Sequence, residues 1–272
     1  MNSSVVTAEG AAKSSRSMPA RLDLIQSLSG LALGLFMWTH LLLVASILIS
    51  KDAMLFVVNT MEARFLSADG HGYPMIVSGF AVLVLLLFML HGLLAMRKFP
   101  ANWRQYRILR QHMGRMHHAD TTQWFWQAAT GFVMFFLGSA HIVIMAMDAD
   151  KIGPHLSADR FVTEGLWPLY LILLFCAELH GAIGMYRLAI KWGVFDGEFF
   201  RRRGSGPTAG DINGLDQADV DPARAKRTRH RLKQAKMVLT VFFLTLGLLT
   251  FAAYIKIGIE HRDQAGQRYD PM

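Results

Sequence analysis

Five stretches of this chain are long and apolar enough to cross a lipid bilayer, and no other feature constrains the fold as tightly. An α-helix rises about 1.5 Å per residue, so roughly 20 apolar residues span the ~30 Å hydrocarbon layer. Segments 24–49, 74–96, 161–192 and 237–257 meet that length. A fifth starts at the capping-type run Asp120, Thr121, Thr122 and ends near Met147. Composition agrees, with 53% of the residues hydrophobic and only 18% charged. The expected fold is an all-α membrane protein, a bundle of five transmembrane helices.

The segments between the spans set the organisation. Residues 1–20 are polar and small and read as a flexible leader, and the apolar stretch that follows is too long for a cleavable signal. In 51–73, Met54, Leu55, Val58, Met61 and Phe65 recur at helical spacing, which predicts a short amphipathic helix at the membrane interface that carries Glu62. Spans I to IV and their loops occupy 21–195, and Pro168 lies near the start of span IV, where a break or kink is tolerated. The Gly- and Asp-rich stretch 196–227 lacks periodicity and reads as a surface loop with the composition of disorder. Span V falls within 228–259, and 260–272 is a polar tail.

Charge gives the orientation. The loops after spans II and IV carry six (97–115) and twelve (187–236) basic residues, against two each after spans I and III. The positive-inside bias then puts the N-terminus and the basic loops in the cytoplasm and the C-terminus in the periplasm of a bacterial inner membrane. The same bias accounts for the net charge of +8 without nucleic acid as a partner. Cys176 is the only cysteine, so the chain forms no internal disulfide, and a cysteine-ligated iron–sulfur cluster, which needs about four thiolates, must belong to a partner.

Four of the spans each hold one histidine: His40, His91, His141 and His180. Imidazole is costly in hydrocarbon, so each is a candidate functional residue. Each lies late in its span, and alternate spans run in opposite directions. His40 and His141 therefore fall near the outer side and His91 and His180 near the inner side, two levels roughly 15 to 20 Å apart from the helical rise. A single such histidine can equally be hydrogen-bonded between helices. Four in depth-matched pairs point instead to two b-type haems, each iron held from both sides. Gly34, Gly92, Gly138 and Gly181 lie near the histidines and would let a flat macrocycle approach the backbone. Zinc fits less well, since each level offers two ligands and a structural zinc takes about four.

Haem propionates want donors at the membrane edge, where Gln26, Ser27, Arg97, Trp124, Arg187 and Lys191 occur; Lys, Arg and Trp also anchor span ends. Glu178 sits inside span IV, two residues before His180, where a carboxyl either handles protons or supports packing as the neutral acid. Glu62 by itself reads as a solvated charge, raised in interest only by its closeness to the outer pair.

The blocks LDLIQSLSG, LHGLLAMRKFPANWRQY, HADTTQWFWQAATGFVMFFLGSAH, WPLYLILLFCAELHGAIGMYRLAIKWGVFDGE and LGLLTFAAY cover nearly the whole membrane part. In them the chain resembles the dihaem cytochrome b subunits of the quinol:fumarate reductases of epsilon- and some delta-proteobacteria, within the succinate:quinone oxidoreductase superfamily. The resemblance implies a bundle enclosing two haem b groups, the inner on His91 and His180 and the outer on His40 and His141. It implies that Glu62 accepts protons from menaquinol near the outer haem, and that Glu178 belongs to a transmembrane proton route. Gln26, Ser27, Trp124 and Lys191 match positions that contact propionates, and Arg160 matches a basic residue close to the outer haem and that route. The implied partners are an iron–sulfur subunit and a flavoprotein on the cytoplasmic side, which hold the iron–sulfur clusters and FAD and reduce fumarate to succinate; the reverse direction uses the same parts. The implied assembly is a dimer of heterotrimers. Moving two electrons inward against the membrane potential costs about 4.6 kcal/mol per 100 mV, of which each proton carried inward through Glu178 would offset half. The stretch 204–223 is an insertion relative to the family pattern. Two other readings stay open at this point: a cytochrome b subunit of a formate dehydrogenase or hydrogenase, and a haem-free transporter or scaffold.

Overall fold

The computed structural model describes residues 3–67, 72–99, 102–115, 119–193 and 222–271. Helix α1 runs Ser3–Val44 and tightens into a 3₁₀ turn at Ala45–Leu48. The leader 1–20 is thus helical from Ser3 onward. Residues 3–18 are rich in Ala and Ser with no proline, and extending an existing helix is cheap compared with starting one.

Helix α2, Lys51–Met61, is capped by Ser50, whose side chain accepts the Ala53 N–H at 2.9 Å. It buries Met54 and Val58 while Met61 and Phe65 stay exposed, so only part of the expected apolar stripe faces the protein. Helix α3 is Pro74–Met96, with its proline in the first turn, where the missing N–H is not needed. A basic helix α4, Trp103–Arg115, precedes α5, Ala119–Met147.

Span IV is shorter than its apolar run. Phe161 belongs to a separate helix α6, Pro154–Val162, and α7 begins only at Trp167, ending at Trp192. Pro168 supplies the reason: it lacks an N–H and suits the first turn of α7, so the helix starts there. Gly165, at φ +69°, makes the turn between the two helices. Helix α8, Pro222–Glu260, starts well before the apolar part of span V, so 222–227 is helix and not loop. The rest of that loop, and with it most of the insertion 204–223, lies outside the described residues.

Five helical segments are long and apolar enough to cross a membrane: Met18–Leu48, Pro74–Met96, Thr122–Met147, Trp167–Trp192 and Lys226–Glu260. No strand occurs among the described residues. Helix α5 packs on α3 and α7, α1 packs on the same two, and α8 closes the bundle against α7 and α6. Leu83, Leu86, Phe132 and Val241 point outward, as lipid-facing side chains should.

At the end away from the basic loops, Ile47, Met54, Val58, Ala158, Tyr254 and Ile257 form a buried cluster. The polar tail is tied down over it. Asp159 accepts from the Gly266 N–H at 2.9 Å and lies 3.1 Å from His261 Nδ1, while the Tyr269 hydroxyl donates to Asp52 at 2.8 Å. Asp159 and His261 are both buried, so their bond is not diluted by water. Asp159→Ala is expected to destabilise the protein by about 1–3 kcal/mol, because it strands the buried His261 Nδ1 and frees the Gly266 N–H of the tail. Thermal unfolding in detergent checks this, and an unchanged midpoint would remove the tail from the account of stability.

Candidate functional site

Helices α1, α3, α5 and α7 surround one large cavity of about 1060 Å³. That lies at the upper limit of single-ligand pockets, which run roughly 300–1,000 Å³. His40, His91, His141 and His180 all line it, together with Gln26, Ser27, Glu62, Arg160 and Lys191. Glu178 and Trp124 do not.

The structure brings the histidines together in two pairs. The rings of His40 and His141 lie 6.1 Å apart, centroid to centroid, and those of His91 and His180 6.4 Å. A metal–imidazole bond is about 2.0 Å, and a ring centroid lies about 1.1 Å behind its nitrogen, so two imidazoles on opposite sides of one metal put their centroids roughly 6.2 Å apart. Both pairs match that spacing.

The two levels hold their rings differently. Nδ1 of His91 lies 3.2 Å from the Gln26 carbonyl oxygen, and Nδ1 of His180 lies 2.8 Å from that of Gln127. A carbonyl only accepts, so each Nδ1 carries the proton and each Nε2 keeps its lone pair for a metal. Glycines press on these two rings. A Cβ at Gly30 would lie 2.8 Å from His91 Cε1, and one at Gly131 would lie 2.7 Å from His180 Cε1, closer than atoms normally approach. At the other level Phe36 stacks on His40 at 5.7 Å, and Tyr170 meets His141 edge-on at 5.4 Å. His141 Nδ1 is buried without a hydrogen-bond partner.

Of the glycines nearest the histidines in sequence, Gly34, Gly138 and Gly181 line the cavity and Gly92 does not, and each also makes room for a neighbouring side chain. A Cβ on Gly34 would meet Met185, on Gly181 Met37, on Gly92 Phe135 and on Gly138 Phe88. Gly30 and Gly131, one turn or more away on partner helices, were not legible as histidine neighbours.

Cations gather at the basic-loop end. Asp23 pairs with Lys98 at 2.5 Å and with Lys191, which also donates to Ser27 Oγ at 2.8 Å. Arg187 donates to Gln127 Oε1 at 2.5 Å. Lys98, not its neighbour Arg97, lines the cavity, and Arg97 turns back onto the Leu94 carbonyl. Gln26 Oε1 is buried without a partner and Trp124 is half-buried. Lysines and the Ser27 hydroxyl at a cavity mouth suit the carboxylates of an anionic ligand.

At the opposite end Glu62 caps α2 and is only 5% exposed. Gly72 packs against its side chain, and Ala63 takes a left-handed conformation at φ 51° to turn the chain there. Burial pushes the Glu62 carboxyl above the usual range, opposed by Arg268 and Arg64 and aided by Asp150. Arg160 is 3% exposed, with one guanidinium nitrogen near the Lys151 carbonyl oxygen at 3.4 Å and Nε without a partner. Glu178 is fully buried behind the cavity, its Oε2 accepting from Trp38 Nε1 at 3.1 Å.

Known proteins are similar to this chain in sequence. The family described as succinate dehydrogenase/fumarate reductase transmembrane subunit matches residues 103–206. The chain is 46% identical over 246 residues to the fumarate reductase cytochrome b subunit of Wolinella succinogenes, covering 90% of this chain and 86% of that one. It is 46% identical over 245 residues to the fumarate reductase cytochrome b subunit of Helicobacter pylori strain J99, covering 90% and 84%. Identity at that level over nearly both full lengths, on a five-helix membrane bundle, places this chain in the succinate dehydrogenase/fumarate reductase transmembrane subunit family, among the fumarate reductase cytochrome b subunits.

Proposed function

We propose that this chain is the membrane anchor of a menaquinol:fumarate reductase and holds two haem b groups, one on His91 and His180 and one on His40 and His141. The carrying observation is the pair of imidazole separations, each of which suits one metal ligated from both sides. Bound haem would supply one-electron transfer between a quinol and an iron–sulfur centre, chemistry that amino-acid side chains lack.

The chain's own residues provide the rest. The Gln26 and Gln127 carbonyls hold the inner imidazoles in the tautomer that leaves Nε2 free. Lys98, Lys191, Ser27 and Gln26 suit the propionates of the inner group, with Trp124 beside them, and Arg160 offers positive charge at the outer one. Menaquinol releases two protons as it is oxidised, and Glu62 accepts one at the outer end of the cavity. Glu178 carries a proton inward, which offsets the inward movement of negative charge at about 2.3 kcal/mol per charge per 100 mV. The basic loops then face the cytoplasm of a bacterial inner membrane, where an iron–sulfur subunit and an FAD-bearing subunit dock, and two such heterotrimers pair.

Purification in mild detergent tests the reading. The expected preparation contains a flavoprotein and an iron–sulfur protein and shows b-type bands in a dithionite-reduced minus oxidised spectrum. A folded preparation without those bands, or one carrying a molybdenum or nickel enzyme, would overturn it. A sharper check is Gly131→Ala. Its methyl group drives against His180 and is expected to lower inner-haem occupancy about tenfold or more, the scale of disturbing a ligand's immediate support. Haem content per chain reads the outcome directly.

A further inference from the structure

We infer that the polar tail is held by a pH-sensitive clasp, seated on α2 and α6 only while His155 of α6 stays neutral. Two stacked imidazoles form its centre: the rings of His155 and His261 lie 4.0 Å apart, centroid to centroid, with planes 31° from parallel. His261, the residue after α8, is buried, and its Nδ1 lies 3.1 Å from Asp159 Oδ1. The other oxygen of Asp159 accepts the Gly266 N–H. Farther along, Tyr269 meets His155 edge-on at 5.1 Å and donates its hydroxyl to Asp52 at 2.8 Å. Every other residue from Arg262 to Pro271 is exposed, so Tyr269 is the side chain that the tail tucks in. His155 thus touches both anchors of the tail, His261 and Tyr269. The clasp joins α2, capped by Glu62, to α6, which carries Arg160, and both of those residues line the cavity.

The protonation state follows from what each group can do. Lys51, at the start of α2, holds its Nζ 3.1 Å from His155 Nε2 and 5.8 Å from the centre of the Tyr269 ring. An ammonium only donates, so Nε2 must keep its lone pair and the neutral ring carries its proton on Nδ1. A proton added to Nε2 removes that acceptor and sets an imidazolium against Lys51. The acids nearby are already engaged, Asp159 with His261 and the Gly266 N–H, and Asp52 with the Tyr269 hydroxyl. Burial, then His261, then Lys51 hold the His155 imidazole below the ordinary histidine value, with Asp159 opposing. Releasing the tail returns the ring to water and restores the ordinary value. Protons therefore favour the released tail, and the clasp weakens as pH falls through about 6.5 toward the lower value of the seated state.

Hydrogen–deuterium exchange on the assembled complex in detergent tests this, read on peptides covering 262–271 between about pH 8 and about pH 5, a range that brackets histidine titration. Each rate is divided by the intrinsic amide rate at the same pH. Protection of the tail is expected to fall about tenfold across the acid half of that range, within the limit of about tenfold per pH unit for one linked proton, while the spans keep theirs. His155→Phe leaves a ring between His261 and Tyr269 but takes no proton, and its tail should stay protected in acid. A flat profile in the parent protein overturns the clasp. So does an undiminished fall in His155→Phe, which would move the titration to His261 or Asp159. If His155→Phe fails to assemble, Lys51→Met removes the cation that opposes protonation. It should lessen the acid fall, and a fall as large as the parent's again overturns the proposal.

Discussion

Glu62→Gln is expected to lower menaquinol oxidation by roughly 10²–10⁴-fold, the range of a positioned proton acceptor. Fumarate reduction by the partner subunits with an artificial donor should stay intact, as should haem content. Glutamine keeps the size of the side chain and its packing against Gly72 but cannot take a proton. The pH dependence carries a second test. Glu62 accepts protons only when ionised, and burial raises its pKa, so quinol oxidation should fall as pH drops through a value above the ordinary glutamate range of about 4.3. Arg268 is the first of the cations opposing that rise, and Arg268→Gln should move the acid limb to higher pH. For stability the sign is opposite. A carboxyl with a raised folded-state pKa contributes stability that is full below its unfolded value and is lost as pH rises through the folded one. Glu62→Gln should thus be no less stable than the parent at neutral pH, which separates loss of chemistry from loss of fold. Retained quinol oxidation would return Glu62 to a structural role.

The five spans were legible because a bilayer demands length and apolarity, and both are written locally. The two-level grouping of the histidines was legible for a related reason, since depth follows from position along a span and from its direction. What depth cannot give is azimuth. Arg97 and Lys98 are adjacent in sequence, yet only Lys98 turns into the cavity. Asp23 looks like an ordinary charge at the start of a span, and its grip on Lys98 and Lys191 joins three helices that only packing brings together. Gly30 and Gly131 escaped notice because the rings they face belong to other helices. Hydropathy also carried span IV back to Phe161 and Val162, the end of α6, while Pro168 marked the start of α7. The tail's anchorage on Asp159 rests on contacts about 100 residues apart, which no local pattern encodes.

Substituting one histidine at each level should divide the haem content by level. His180→Ala is expected to remove the inner haem and about half of the b-type absorbance; His141→Ala should remove the outer one. In each case a haem held as proposed would lose one of its two histidines, a larger loss than the 10–100-fold cost of disturbing the support around a ligand. The supports of the two levels are separate. His91 and His180 hang from the Gln26 and Gln127 carbonyls, whereas His40 and His141 are set by Phe36 and Tyr170. Sites without shared partners respond additively, so the absorbance lost in His180→Ala and that lost in His141→Ala should sum to the parent spectrum. Quinol-driven fumarate reduction should fall by at least about 100-fold in both, because the path proposed above runs through both levels. Identical residual spectra, or loss of both haems from either single change, would show that the four histidines act as one cluster, and the two-level reading would fail.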